Sequence, residues 1–222
     1  MYFIKYVYLS IKTIRSYLSS FNYIPSQETS GTWGGMDAGA GMLYPASVVD
    51  GLVHQLGGLK LSLQCKIIKA LKGGCPTGTS VVTTHGDEML TQIYEQIVHT
   101  SPPFYNHTNA CDDEGADNLL RSCYQSAFNL AFDDNLRREN TRQVASPLLG
   151  AGARGFPIEV AIEIAASESM RWRDTKDNVR GEKVLMFGLL ELKTSEELIL
   201  ALEVETLSQP ACLHSNPSLQ LQ

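Results

Sequence analysis

The residues best suited to hold a ligand form one run, Gly150-Ala151-Gly152-Ala153-Arg154-Gly155, flanked by Leu149 before it and by Phe156 and Pro157 after it. Glycine accepts positive φ and lets the main chain come close to a bound group. A proline at the first position of a helix has its φ preset and no N–H to leave orphaned. Residues 143–149 read as a buried strand and those from Pro157 onward as a helix, so the run joins a strand to a helix N-terminus. Several main-chain amides then meet at the positive end of a helix dipole, where a phosphate or diphosphate is favoured. This makes Leu149, Gly150, Ala151, Gly152, Ala153, Arg154, Gly155 and Phe156 a candidate phosphate-binding loop. A tight strand-to-helix turn with no ligand is the plainer reading of the same residues, because G-x-G-x-x-G alone is a weak signal.

The elements that would position this loop alternate in type. A glycine-rich segment at residues 30–45, with Trp33, Asp37 and Met42, reads as a long loop. Helices are expected over residues 47–56, with Ser47 as N-cap and Gly57-Gly58 as the stop, and over residues 59–71. Val48, Leu52, Val53 and Leu56 share a face of the first. The turn Cys75-Pro76-Thr77-Gly78 leads to a β-branched strand at residues 79–84, and a further strand runs over residues 93–100. Residues 105–117 are polar. An amphipathic helix at residues 119–132 turns Leu119, Leu120, Cys123, Ala127, Leu130 and Ala131 to the core. After the glycine loop come a helix over residues 157–170, a charged linker over 171–182, a strand over 183–191 and a helix over 195–207. Ser195 is the expected cap of that last helix, with Glu196 and Glu197 in its first turn. Such alternation implies an α/β domain, helices packed on both faces of a parallel or mixed sheet, with ligands at the carboxyl ends of the strands.

Composition narrows the function. The 222 residues suit one domain, and 43% hydrophobic residues are enough for a sizeable core. A net charge of −6 argues against broad nucleic-acid binding, while a small anionic ligand needs only a few amides and a helix end. Residues 1–27 carry Lys5, Lys12 and Arg15 and no acid, against 15 bases and 24 acids in the remainder. A basic, acid-poor head has the composition of an organellar leader or of an irregular extension. The domain organisation follows: residues 1–29 as a basic aromatic extension, 30–207 as the folded domain and 208–222 as a flexible tail. No stretch has the ~20 apolar residues of a membrane span. Five cysteines without a C-x-x-C pair read as thiols of a reducing, intracellular compartment, cytoplasmic or nuclear, with Cys65 and Cys123 in helix cores. The histidines, His54 and His99 among them, show no metal-ligand spacing, so no metal site is expected.

A dinucleotide fold is one candidate for the glycine loop. It calls for an acidic residue ending the next strand about 20 residues on, and the next strand here ends near Glu191, too far along. Another candidate accounts for more of the chain. Val49-Asp50-Gly51-Leu52-Val53-His54, Gly73-Gly74-Cys75-Pro76-Thr77-Gly78, Ile97-Val98-His99-Thr100, Leu120-Arg121-Ser122-Cys123-Tyr124-Gln125-Ser126-Ala127 and the run from Pro147 to Pro157 follow one another in this order. Together they resemble the macro domain, with its V-D-G-x-I-H segment and a late phosphate loop ending in G-[FY]-P. The resemblance covers about residues 47–166.

The resemblance implies a three-layer α/β/α domain with a mixed central sheet, and a cleft for ADP-ribose or ADP-ribosylated groups. Some members of that family only read the ligand, whereas others hydrolyse ADP-ribosyl bonds or remove a terminal phosphate. No cofactor is implied. By carry-over, the amides from Gly150 to Phe156 hold the diphosphate and distal ribose, and Val49 and Gly51 flank Asp50, which matches the aspartate of the hydrolytic members. A carboxylate there could orient or deprotonate a water attacking the anomeric carbon; as plain structure, it would complement a helix N-terminus. His54 is expected to pack. The sequence departs from the family in lacking the early adenine-site aspartate, the N-A-A-N loop and the glycine run before V-D-G. Arg154 stands where an aromatic residue often stacks on the ribose, and its guanidinium could bind phosphate instead. A non-catalytic interaction domain that kept the fold and lost the pocket is the alternative.

Overall fold

A computed structural model describes residues 49–84, 86, 90, 94–105, 113–132, 143–152, 154–173, 184–189 and 191–208. The basic head, the glycine-rich segment with Trp33, Asp37 and Met42, and the tail lie outside the described residues. In chain order the elements are α1 (Val49–Lys72), β1 (Ser80–Thr84), β2 (Gln96–Thr100), α2 (Asp113–Phe132), β3 (Gln143–Pro147), α3 (Ile158–Arg173), β4 (Val184–Gly188) and α4 (Leu192–Ser208). β1 and β2 pair antiparallel, with Ser80 opposite Thr100 and Thr84 opposite Gln96. β3 and β4 pair in parallel, from Gln143 beside Val184 to Pro147 beside Gly188, with α3 as their crossover. The result is the expected α/β arrangement with mixed strand directions.

α2 is the hub. It packs on β1, β2 and α3, and α3 in turn packs on α4. Its buried stripe is Ala116, Leu120, Tyr124, Phe128 and Phe132, every fourth residue, so the five side chains lie along one helix face. The expected stripe was rotated from this one. Leu120 and Cys123 are buried, but Leu119, Ala127, Leu130 and Ala131 are only half-buried. Aromatic bulk decides the orientation. Phe132 stacks on Trp172 of α3 with centroids 4.1 Å apart, and Phe128 meets the same indole at 5.8 Å. Burying each large side chain is worth about 1.5–3 kcal/mol, more than Leu119 or Ala127 would gain in their place. α3 is buried through Ala161, Ile162, Ile164, Ala165, Ala166, Ser169 and Met170, where small residues let α2 and α4 approach from two sides.

The expected stop at Gly57-Gly58 is present: α1 is two helical segments meeting at a kink, where Gly58 takes φ 59° and ψ −153°, a conformation that favours glycine, before helix resumes to Lys72. Two local expectations change. α2 begins at Asp113, ahead of Leu119. Ser195 is not the cap of α4 but lies inside it, its N–H and hydroxyl both donating to the Glu191 carbonyl at 3.2 and 3.1 Å. Glu196 and Glu197 therefore fall beyond the first turn, which holds no acid.

Candidate functional site: a glycine loop at the strand ends

The chain leaves the C-terminal end of β3 through Leu148 and Leu149 and enters α3 after Pro157. Between them Gly150, Gly152 and Gly155 all take positive φ, at 82°, 111° and 77°. The loop closes on itself. The Gly155 N–H donates to the Gly152 carbonyl at 2.9 Å and the Phe156 N–H to the Gly150 carbonyl at 3.2 Å, so that Ala151 and Phe156 lie side by side in a short parallel bridge. Pro157 sits just before the helix and its carbonyl accepts the Ala161 N–H at 3.0 Å.

Core side chains hold the loop from beneath. Phe156 is only 4% exposed and belongs to the main apolar cluster with Leu148, Leu120 and Tyr124. A Cβ on Gly150 would stand 2.9 Å from Phe156 Cδ2 and 3.0 Å from Leu120 Cδ2, so glycine is required there by packing as well as by φ. The Leu149 N–H donates to the Tyr124 hydroxyl at 2.9 Å. That phenol is fully buried, and burial pushes its ionisation well above the ordinary tyrosine range. Gly152 and Gly155 face outward. They are exposed, and a Cβ built on either meets nothing within 4 Å.

A second segment braces the loop from the side. Residues 101–105 leave the C-terminal end of β2, and the Tyr105 N–H donates to the Arg154 carbonyl at 2.9 Å. The Tyr105 and Phe156 rings lie 4.9 Å apart, and the Arg154 guanidinium lies 4.5 Å over the Phe104 ring, an attraction worth about 0.5–1 kcal/mol at an exposed site. Both segments thus emerge at strand carboxyl ends, where α/β sheets bind ligands. Phe104, Tyr105 and Tyr124 are the residues that sequence reasoning did not single out. The aromatic pair directly after Pro102-Pro103 was the available signal.

The expected site residues fall into three groups. Leu149, Gly155 and Phe156 have their amides engaged within the protein, which narrows the set of donors left for an anion. The amides of Gly150 and Ala151 make no hydrogen bond among the described residues, and Gly152, with Arg154 beside it, lies on the outer side. Ala153 lies outside the described residues. Val49, Asp50 and Gly51 form the first turn of α1, and their side chains are likewise outside the described residues. At the opening of α3, Glu159 occupies the first turn and complements that dipole itself. His54, expected to pack, does so beside His99, with ring centroids 5.8 Å apart. Those two rings and the Cys65 thiol have ligand atoms within 4.8 Å of one another, a grouping drawn from α1 and β2 that sequence spacing did not reveal.

Comparison with known proteins points the same way. The family profile for the Macro domain matches residues 38–165. A macro domain-containing protein of Caldanaerobacter subterraneus is 36% identical over 117 residues, 53% of this chain and 59% of that one. An O-acetyl-ADP-ribose deacetylase of Pantoea vagans is 34% identical over 117 residues, 53% of this chain and 61% of that one. The chain thus spans less than two thirds of the length of these relatives. Among solved structures, a single-residue variant of the Oceanobacillus iheyensis macrodomain with ADPR aligns with TM-score 0.57 at 22% identity, covering 71% of this chain and 77% of that one. That likeness establishes the fold, the α/β architecture of a macrodomain. The ordered motifs, the fold and the family match agree: this chain belongs to the macro domain family.

Proposed function

We propose that the chain binds ADP-ribose, free or attached to protein, with the diphosphate against the outer side of the glycine loop. The observation that carries this reading is the loop itself: three positive-φ glycines within six residues at a strand end, two of them with open space where a side chain would be. Gly150, Ala151 and Gly152 supply amides toward the phosphates, and Arg154 and Gly155 border the distal ribose. Leu149 and Phe156 shape the loop from below through the Tyr124 hydroxyl and the Gly150 carbonyl. Family membership and the deacetylase relative favour this ligand over other diphosphates.

Asp50, between Val49 and Gly51 in the first turn of α1, is the residue we assign to hydrolysis. Its carboxylate would orient a water toward the anomeric carbon and take its proton as the ADP-ribosyl bond breaks. The second reading, an interaction domain without a working pocket, is favoured by one observation: the amides of Leu149, Gly155 and Phe156 are already engaged. Calorimetric titration with ADP-ribose, NAD and AMP separates the two. Saturable binding preferring ADP-ribose supports the first, and silence with all three supports the second. Where ADP-ribose binds, loss of ADP-ribosyl-peptide hydrolysis in Asp50→Ala establishes the catalytic role, and equal activity in both proteins removes Asp50 from the mechanism.

A further inference from the structure

We infer that His54, Cys65 and His99 form a site for one zinc(II) ion between α1 and the β1–β2 sheet. Their ligand atoms lie within 4.8 Å of one another. His54 precedes the break at Gly58 and Cys65 follows it, so the site draws on both halves of α1 and on β2. Zinc holds imidazole nitrogen at ~2.0–2.1 Å and thiolate sulfur at ~2.3 Å, which sets the tetrahedral donors of this set about 3.3–3.6 Å apart. A pair at the outer limit of 4.8 Å therefore needs to close by about 1.2–1.5 Å, within reach of side-chain rotation.

The surroundings suit a metal of this kind. Cys65 is 8% exposed and shares an apolar cluster with Leu61 and Cys75, against which Val53, Ile68, Val81 and Ile97 pack. His54 Nε2 is shut off from solvent. The Thr83 hydroxyl lies 2.8 Å from His99 Nε2 and holds the ring, as outer-shell partners of ligating histidines do. One thiolate with two imidazoles selects zinc over magnesium or calcium, which take oxygen donors. Three protein ligands leave a fourth position for water or another group. Zinc takes the Cys65 sulfur as thiolate and the imidazoles as neutral donors, so the thiol proton passes to solvent on binding. The ion would clamp α1 to the sheet. This inference does not depend on ADP-ribose binding.

The test is titration of the full, chelator-treated chain with cobalt(II) in the absence of nucleotide. A thiolate-to-cobalt charge-transfer band saturating at one equivalent and displaced by zinc is expected, together with a zinc-dependent rise in Tm. Cys65→Ser should abolish the band and Cys123→Ser should retain it. Thr83→Val should keep the band and weaken affinity by about tenfold. Should Cys65→Ser not fold, His54→Gln and His99→Gln carry the same test, each losing the one-equivalent site. Absence of the band in the wild type, or its persistence in a folded Cys65→Ser or in both histidine variants, overturns the assignment and leaves a packed histidine–thiol cluster.

Discussion

Tyr124→Phe isolates the hydrogen bond that ties the glycine loop to the hub helix. The ring is fully buried and keeps its neighbours in the variant, Phe128 at 5.7 Å and Phe187 at 6.4 Å. Only the hydroxyl goes, and with it the acceptor of the Leu149 N–H at 2.9 Å. A buried donor left unsatisfied costs about 1–3 kcal/mol, offset in part because the phenol oxygen is no longer held out of water, for a net loss of about 1–2 kcal/mol. In urea unfolding followed by circular dichroism, the midpoint should fall with the slope unchanged. The pH dependence gives an independent check. The phenol ionises ordinarily near 10.0, and burial raises it in the folded chain. The unfolded chain therefore releases this proton first, and the associated stability, whole below about pH 10, is lost as the pH rises further. Phenylalanine has no such proton, so the gap between wild type and variant should narrow above about pH 10. A variant within about 0.5 kcal/mol of wild type, or a gap constant through the alkaline range, would mean that the Tyr124 hydroxyl does not hold the loop.

Other substitutions follow from the same geometry. Gly150→Ala, squeezed between Phe156 and Leu120 at positive φ, should cost about 2 kcal/mol or more in urea unfolding. Gly152→Ala and Gly155→Ala meet open space, so each should cost only the backbone strain, about 1–2 kcal/mol, yet lose far more ADP-ribose affinity in calorimetry than that difference in stability implies. Glu168, 4% exposed, accepts from Gln125 Nε2 at 2.9 Å and faces Arg121 at 3.6 Å. The hydrogen bond should dominate: Glu168→Ala is expected to lose about 2 kcal/mol and Arg121→Ala, whose side chain is 30% exposed, less than about 1 kcal/mol, both read by thermal unfolding.

Much of the fold was legible because its signals are local. β-branched runs marked β1 and β2, and the glycine–proline punctuation marked the turn from β3 into α3. Helix phase was harder to read, since Leu119 and Ala127 are as apolar as a core needs, and only tertiary contact with Trp172 rotates Phe128 and Phe132 inward. Ser195 looked like a cap because serine bonds to main chain in either setting; here it bonds backward to Glu191 from inside the helix. The glycine loop was readable as a loop, but its internal hydrogen bonds were not, because nothing in G-x-G-x-x-G says whether an amide turns inward or outward. The braces from Phe104, Tyr105 and Tyr124, like the meeting of His54 with Cys65 and His99, depend on chain segments far apart in sequence.

On the proposed reading, amides of the glycine loop receive the diphosphate of ADP-ribose. Following the main-chain amide resonances of the isotope-labelled chain as ADP-ribose is added reads those donors one by one. Saturable shifts concentrated at Gly150, Ala151 and Gly152, with Leu149 and Phe156 moving less because their donors stay engaged, are the predicted result. Resonances from 149 to 156 that hold still while ADP-ribose is raised to a large excess would mean that the loop does not hold the ligand.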